Sequence, residues 1–133
     1  MLAPIIMLAM GLLVTEPAPD ARPIPPEFLS EPLQLSLNVG PAGQLPAAGC
    51  VGLVVTIGND GMARTARISR SSREYPVDRS ALLVIRDRYR FSVPESGVDE
   101  AQHWQVYLNY GRRGRNLGLA NECRPPVDAE GKP

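Results

Sequence analysis

Aromatic residues, histidine and cysteine are all scarce in this chain of 133 residues. Aromatic side chains make up 5% of the sequence, and the chain has one His and two Cys. A nucleic-acid groove, where bases stack on aromatic rings among basic residues, is therefore not expected. The formal net charge of zero also provides no overall field that would attract nucleic acid. Because structural zinc sites use four Cys or His ligands, we expect no metal, and no cofactor motif is apparent.

The chain also lacks an apolar run long enough for a comfortable transmembrane helix. Leu2–Val14 is almost wholly apolar, but as a helix it would measure ~20 Å, whereas a bilayer core is ~30 Å thick. The run resembles the apolar part of a secretory signal, and Ala18 and Ala21 supply small residues for cleavage, although no Lys or Arg precedes it. We interpret residues 1–15 as a signal peptide or a short membrane anchor. The remaining chain is then expected in the periplasm, either exported or held at the inner membrane through residues 2–14.

Export would place Cys50 and Cys123 in an oxidising compartment. Two interpretations stand: a single disulfide between the ends of the predicted domain, which we favour, or two unpaired thiols. A bridge would enclose a loop of ~73 residues, for which the chain-entropy relation gives about 4 kcal/mol of stabilisation.

Proline and glycine divide the chain into segments. Residues 16–32 are Pro-rich and acidic, which is typical of an extended linker. Residues 33–123 form the predicted domain, and residues 124–133 are expected to be a disordered tail. Alternation of apolar and polar residues predicts strands, and helical spacing predicts one helix that ends near Arg90. The strands are expected over residues 33–39, 50–57, 62–70 and 103–110, with a short extra edge over 116–120.

The same periodicities predict which side chains face the core. One helix should cover one face of a small antiparallel sheet of three to four strands, an α+β fold. The predicted inward positions are Val51, Leu53, Val55, Ile57, Ala66, Ile68, Val77, Ala81, Leu82, Ile85, Tyr89, Trp104, Val106, Leu108 and Tyr110.

Five signals in order resemble the C-terminal domain of TonB energy transducers, over about 60 residues from Gly52 to Tyr110. They are the strand Gly52–Ile57 after a glycine, the turn Asn59–Gly61, the run Ile68–Ser72, the helix start Val77–Leu82 and the helix end Arg88–Pro94. Each has a structural reason, so together they indicate a scaffold, with a β-β-α-β core, rather than a chemistry.

This resemblance implies a binding module for energy-dependent uptake across the cell envelope. In the family, an extended segment of an outer-membrane transporter adds a strand to the last core strand, here His103–Tyr110. The residues expected at this edge are His103, Gln105, Tyr107 and Asn109, with the last three as solvent-side contacts. Inner-membrane motor proteins are further expected partners, and an exposed edge also allows a homodimer by strand pairing.

Two other interpretations stand beside this one. A soluble periplasmic interaction or scaffold protein would use the same edge without transducing energy, which suits the short apolar run and the short linker. An enzyme is not expected: His103 is the only His, Ser71 and Ser72 lack a G-x-S-x-G frame, and Asp99 and Glu100 lie in a predicted loop.

Overall fold

The computed structural model describes residues 21–30, 37, 47–113 and 118–126. The elements are, in chain order, strand β1 (Arg22–Pro23), a 3-10 turn (Pro26–Phe28), strand β2 (Gly49–Ile57), strand β3 (Ala63–Arg70), helix α1 (Tyr75–Leu83) continued by a π-helical turn (Val84–Arg88), strand β4 (Trp104–Tyr110) and strand β5 (Gly118–Ala120). The predicted strand over residues 33–39 lies outside the described residues except for Leu37, which is buried in the core. Residues 1–20 and 127–133 also lie outside the described part.

The predicted α+β class is confirmed: in the part of the chain that the structure describes, a single helix packs against a sheet. The strand order is β1-β4-β2-β3, and β5 pairs with β4 as well. The expectation of three to four antiparallel strands is corrected in two respects. The sheet has five strands among the described residues, and it is mixed because β1 runs parallel to β4.

One face of the sheet carries the hydrophobic core, as the alternation predicted. Four residues of β2 share that face, and three of β4 join them with exposures of 3% or less. Val77, Ala81 and Ile85 of the helical segment are fully buried against them. Ala66 and Ile68 of β3 are partly buried against the same cluster. The residues from β2 and β4 are Val51, Leu53, Val55, Ile57, Val106, Leu108 and Tyr110.

The β2–β3 hairpin turns where the sequence predicted. Gly61 has φ +86°, a conformation that favours glycine. The Asp60 carboxylate accepts a hydrogen bond from the Met62 backbone N–H at 3.0 Å, and this bond, aided by the nearby Arg64, lowers the pKa of Asp60. The chain after the helix is held to this turn, because the Phe91 N–H donates to the Gly61 carbonyl at 2.7 Å.

The helix begins as expected and ends slightly early. Pro76 lies in the first turn, where its missing N–H would have no partner in any case. The Tyr89 N–H still bonds the Val84 carbonyl, but Tyr89 itself is extended, so the π-helical turn stops at Arg88 instead of near Arg90. The Tyr89 ring is buried, and its hydroxyl accepts from the Ser30 N–H and donates to the Ser30 carbonyl.

Residues 22–30, which lie within the predicted linker, pack onto the domain. Ile24 is fully buried and Phe28 is 8% exposed. The Phe28 ring meets Trp104 edge to face at 5.3 Å, and its carbonyl accepts a hydrogen bond from Ser92 N–H. Pro25 and Pro26 lie between Ile24 and Phe28. Proline is tolerated in an edge segment because its missing N–H is not needed for pairing there.

Among the residues that the structure describes, no helix is long and apolar enough to cross a membrane.

Candidate functional site

Strand β4 has the most regular edge in the sheet. Its seven residues pair with β2 without a register shift, from Gly49 opposite Tyr110 to Val55 opposite Trp104. Its other side, the outer edge, is paired with two short strands. The two residues of β1 run parallel to one half of it, and the three residues of β5 run antiparallel to the other half.

The four residues predicted for partner binding share one backbone orientation. The carbonyls of His103 and Gln105 accept hydrogen bonds from the N–H groups of Arg22 and Ile24, both at 3.0 Å, so they point to the outer edge. Backbone groups of a strand alternate in direction. Every second residue from His103 onward therefore presents its N–H and C=O to the outer edge.

Tyr107 and Asn109 belong to the same outer-edge set and lie opposite Ala120 and Gly118 of β5. The residues between them, including Leu108, direct their backbone groups to β2. The structure therefore brings the four predicted residues together along one edge, although β1 and β5 already use part of its hydrogen-bonding capacity.

The side chains of this set lie on the face opposite the helix, and they are less free than expected. Gln105 is half-buried and donates from its amide to Ser69 Oγ at 2.8 Å. The Tyr107 ring lies over Gly52, where an added Cβ would come within 3.0 Å of it. Asn109 is only 5% exposed, so the expectation of a solvent-side contact is wrong for that residue.

Burial of Asn109 has a clear cause. Its side-chain oxygen accepts a hydrogen bond from Arg124 N–H at 2.7 Å, and its amide donates to the Glu122 carbonyl at 3.4 Å. The polar side chain thus satisfies backbone groups of the segment that follows β5.

The favoured disulfide is confirmed between Cys50 and Cys123, with their Cα atoms 5.7 Å apart. Cys50 lies on β2 directly opposite Asn109 of β4. The segment that leaves β5 must therefore cross β4 before Cys123 reaches its partner. We call residues 118–123, comprising β5 and this crossing segment, the β5 cover. The short extra edge expected over residues 116–120 corresponds to β5.

The pairing of β1 with the outer edge of β4, which we call the β1 cover, is not predicted by the sequence. Ile24 anchors it in the core, and the Asn121 side chain donates to the Ile24 carbonyl at 3.4 Å, so that the two covers touch. The signal that could have revealed it is the presence of the large apolar residues Ile24, Phe28 and Leu29 in a segment that is otherwise rich in Pro and polar residues.

The opposite edge of the sheet, on β3, has a different construction. Two register shifts against β2 leave Arg64 and Ser69 as extra residues, which are β-bulges. Arg64, Arg67 and Arg70 are exposed along this strand. Bulges and charged side chains are the usual means by which proteins prevent an edge from pairing with another strand.

A shallow polar cleft of about 320 Å³ lies at the end of the sheet where β3 leads into the helix. Ser71, Ser72 and Tyr110 contribute to its lining. Both serine hydroxyls donate to the carboxylate of Asp78, and Ser72 N–H donates to it at 2.8 Å. Burial raises the pKa of Tyr110. The serines considered as candidate nucleophiles are thus engaged in closing the loop before the helix.

This loop provides a stability prediction. We expect Asp78→Ala to lower the free energy of unfolding by about 2 kcal/mol, because three donors from Ser71 and Ser72 lose a charged acceptor. Urea unfolding monitored by circular dichroism would measure it. Asp87→Ala, at an exposed position of the same helical segment, is the matched control and should change stability by less than about 0.5 kcal/mol. Equal losses in the two variants would contradict the structural role of Asp78.

Comparison of the chain with protein-family models, with curated proteins and with solved structures gives no significant match.

Proposed function

We propose that this protein is a periplasmic binding module that accepts an extended segment of an outer-membrane transporter as an added strand on β4. The observation that carries the proposal is the outer edge of β4, a regular seven-residue strand that, within the described part of the chain, is covered by strands of just two and three residues. The transporter as partner rests on the resemblance of Gly52–Tyr110 to the TonB C-terminal domain. In that role the module supports energy-dependent uptake across the envelope.

Strand addition on β4 is favoured over addition on β3 by the regularity of the two edges. A partner on β3 would meet two bulges and a row of exposed arginines. A partner on β4 would meet outward backbone groups at every second residue from His103 to Asn109. Main-chain hydrogen bonds then supply affinity, and the alternating side chains set the register.

A longer partner strand can replace the covers because each of them pairs with little of β4. The two residues of β1 lie opposite Trp104 and Gln105, and the three residues of β5 lie opposite Tyr107 to Asn109. Two-stranded pairings of this length are marginal by themselves and depend on the anchors at their ends. A continuous segment that spans both halves would gain the hydrogen bonds of each without a break between them.

The disulfide supports an envelope location. Structural disulfides persist in oxidising compartments such as the bacterial periplasm and are rare in the cytosol. The Cys50–Cys123 bridge therefore agrees with export, for which the apolar run Leu2–Val14 supplies the signal or the anchor.

An amide-shift NMR titration of the full chain tests the proposal. The ligands are peptides copied from the plug-end segments of outer-membrane transporters encoded in the same genome. We expect saturable shifts concentrated on His103–Tyr110 and on the displaced cover, with β3 unaffected. A folded protein that shows no shifts with peptide in the millimolar range would exclude transporter recognition.

N-methylated peptides provide the matched control. Only every second amide of an added strand points toward β4, so methylation should abolish binding at alternate positions and leave it intact at the positions between. Binding that tolerates methylation everywhere would show recognition by side chains alone. A doubling of the mass without peptide, with shifts on the same edge, would assign β4 to a homodimer instead.

A further inference from the structure

The Cys50–Cys123 bridge is placed where it controls the binding edge. Cys123 follows β5 by only three residues, and its partner Cys50 lies on the far side of β4. The bridge therefore holds the β5 cover across β4. The proposed function uses the disulfide only as support for an envelope location and gives it no part in binding.

A second group of contacts holds the same cover. Asn109 binds the backbone of Glu122 and Arg124, and Leu119 is 8% exposed opposite Leu108. The Asn121 bond to the Ile24 carbonyl and the short pairing of β5 with β4 add to these contacts, and all of them are noncovalent. The covalent link is thus the strongest of the restraints that keep β5 on β4.

The two cysteines differ in solvent exposure. Cys50 is 4% exposed within β2, whereas Cys123 is half-buried in the segment after the last strand. A thiolate from another protein can therefore approach the bridge from the Cys123 side. The exposed Glu122 and Arg124 side chains on either side of it pair with each other.

We propose that the Cys50–Cys123 disulfide is a reducible latch, the target of a dithiol reductase, and that its reduction frees the β5 cover to expose Tyr107 and Asn109 on the edge of β4. The inference deepens the proposed function and rests on it for the identity of the ligand. The opening of the edge itself is independent of any ligand.

The chemical step is thiol–disulfide exchange. A thiolate of the reductase attacks Cys123 Sγ, a mixed disulfide forms there, and the electron pair of the broken S–S bond leaves on Cys50 Sγ, which takes up a proton. The second cysteine of the reductase, as a thiolate, then attacks the reductase sulfur of the mixed disulfide. Cys123 leaves as a thiolate and takes up a proton. Two electrons and two protons reach this chain, and the reductase is oxidised to its disulfide.

Amide hydrogen exchange of the full chain, oxidised and after reduction by dithiothreitol, tests the latch. The Tyr107 and Asn109 amides face β5, whereas the Val106 and Leu108 amides face β2. We expect exchange at Tyr107 and Asn109 to become at least about tenfold faster on reduction. In the reduced protein, Val106 and Leu108 should exchange more slowly than Tyr107 and Asn109, because a local opening of the outer edge leaves the pairing with β2 intact. A Cys50→Ala/Cys123→Ala variant should behave like the reduced protein with or without dithiothreitol.

The transporter-derived peptides add a second readout. We expect the reduced protein to bind them about tenfold more tightly, because the competing cover has been released. Faster exchange at Tyr107 and Asn109 without peptide binding in either state would support the latch and overturn the proposed function. Unchanged exchange at these two amides would overturn the latch, whether or not peptides bind.

A uniform effect would also overturn the latch. If all four amides exchange at the same rate after reduction, or if the reduced protein or the doubly substituted variant unfolds, the bridge stabilises the whole fold and does not restrain this edge in particular.

Discussion

A chain in which Cys50 and Cys123 are both replaced by alanine is expected to lose about 4 kcal/mol of its free energy of unfolding. The bridge joins positions that are 73 residues apart, and a loop of that size restricts the unfolded chain strongly. Because small domains are stabilised by roughly 5–15 kcal/mol, the variant should remain folded at 25 °C with a markedly lower midpoint in urea.

Comparison with the reduced wild type separates the covalent link from side-chain packing. Reduction breaks the bond and leaves both sulfur atoms in place, whereas the alanine variant also removes the buried sulfur of Cys50. The two proteins should agree to within about 1 kcal/mol, since loss of one small buried group costs about that much. A reduced protein as stable as the oxidised one would contradict the assignment of the bridge as a stabilising link.

The second large effect is expected at Phe28. Phe28→Ala should cost about 3–5 kcal/mol, the range found when a buried aromatic residue is truncated. Its ring is 8% exposed and contacts Trp104, the single Trp of the chain. Tryptophan fluorescence in a urea titration therefore reports both the contact and the unfolding.

Glu27→Ala is the matched control, because Glu27 is the exposed neighbour in the same 3-10 turn. It should change stability by less than about 0.5 kcal/mol. If Phe28→Ala is equally mild, residues 22–30 behave as the linker that the sequence suggested, and β1 contributes nothing to the cover of β4.

Strong periodicity explains what was predictable. In β2 and β4 the apolar residues alternate over most of the strand, and both strands bury the predicted face. The helix carried Val77, Ala81 and Ile85 at helical spacing, and all three are fully buried. The sequence favours the pairing of the two cysteines but leaves it open, because sequence spacing alone does not fix the distance between two Cα atoms.

Elements without periodicity explain what was missed. A two-residue parallel strand such as β1 has no repeating pattern, and the surrounding prolines are equally typical of an extended linker. The burial of Asn109 depends on Glu122 and Arg124, which follow β5 along the chain and lie beside the disulfide, so the local pattern of β4 does not indicate it. Arg73, with φ +72°, adopts a backbone conformation that no signal in its own residue type indicates.

The binding edge was predictable only in part. Alternation placed His103, Gln105, Tyr107 and Asn109 on one face, and the structure directs their backbone groups to the outer edge of β4. The presence of the covers follows from tertiary packing, so the sequence indicated the strand and not its occupied state.

The most direct measurement of strand addition is a set of intermolecular nuclear Overhauser effects between a bound transporter-derived peptide and the backbone of β4. We expect contacts from peptide amide and Hα protons to Tyr107 and Asn109 in alternating order, together with the loss of contacts between β4 and β5. A complex in which the peptide contacts the β3 edge or the helix, while β4 and β5 remain paired, would contradict strand addition on β4.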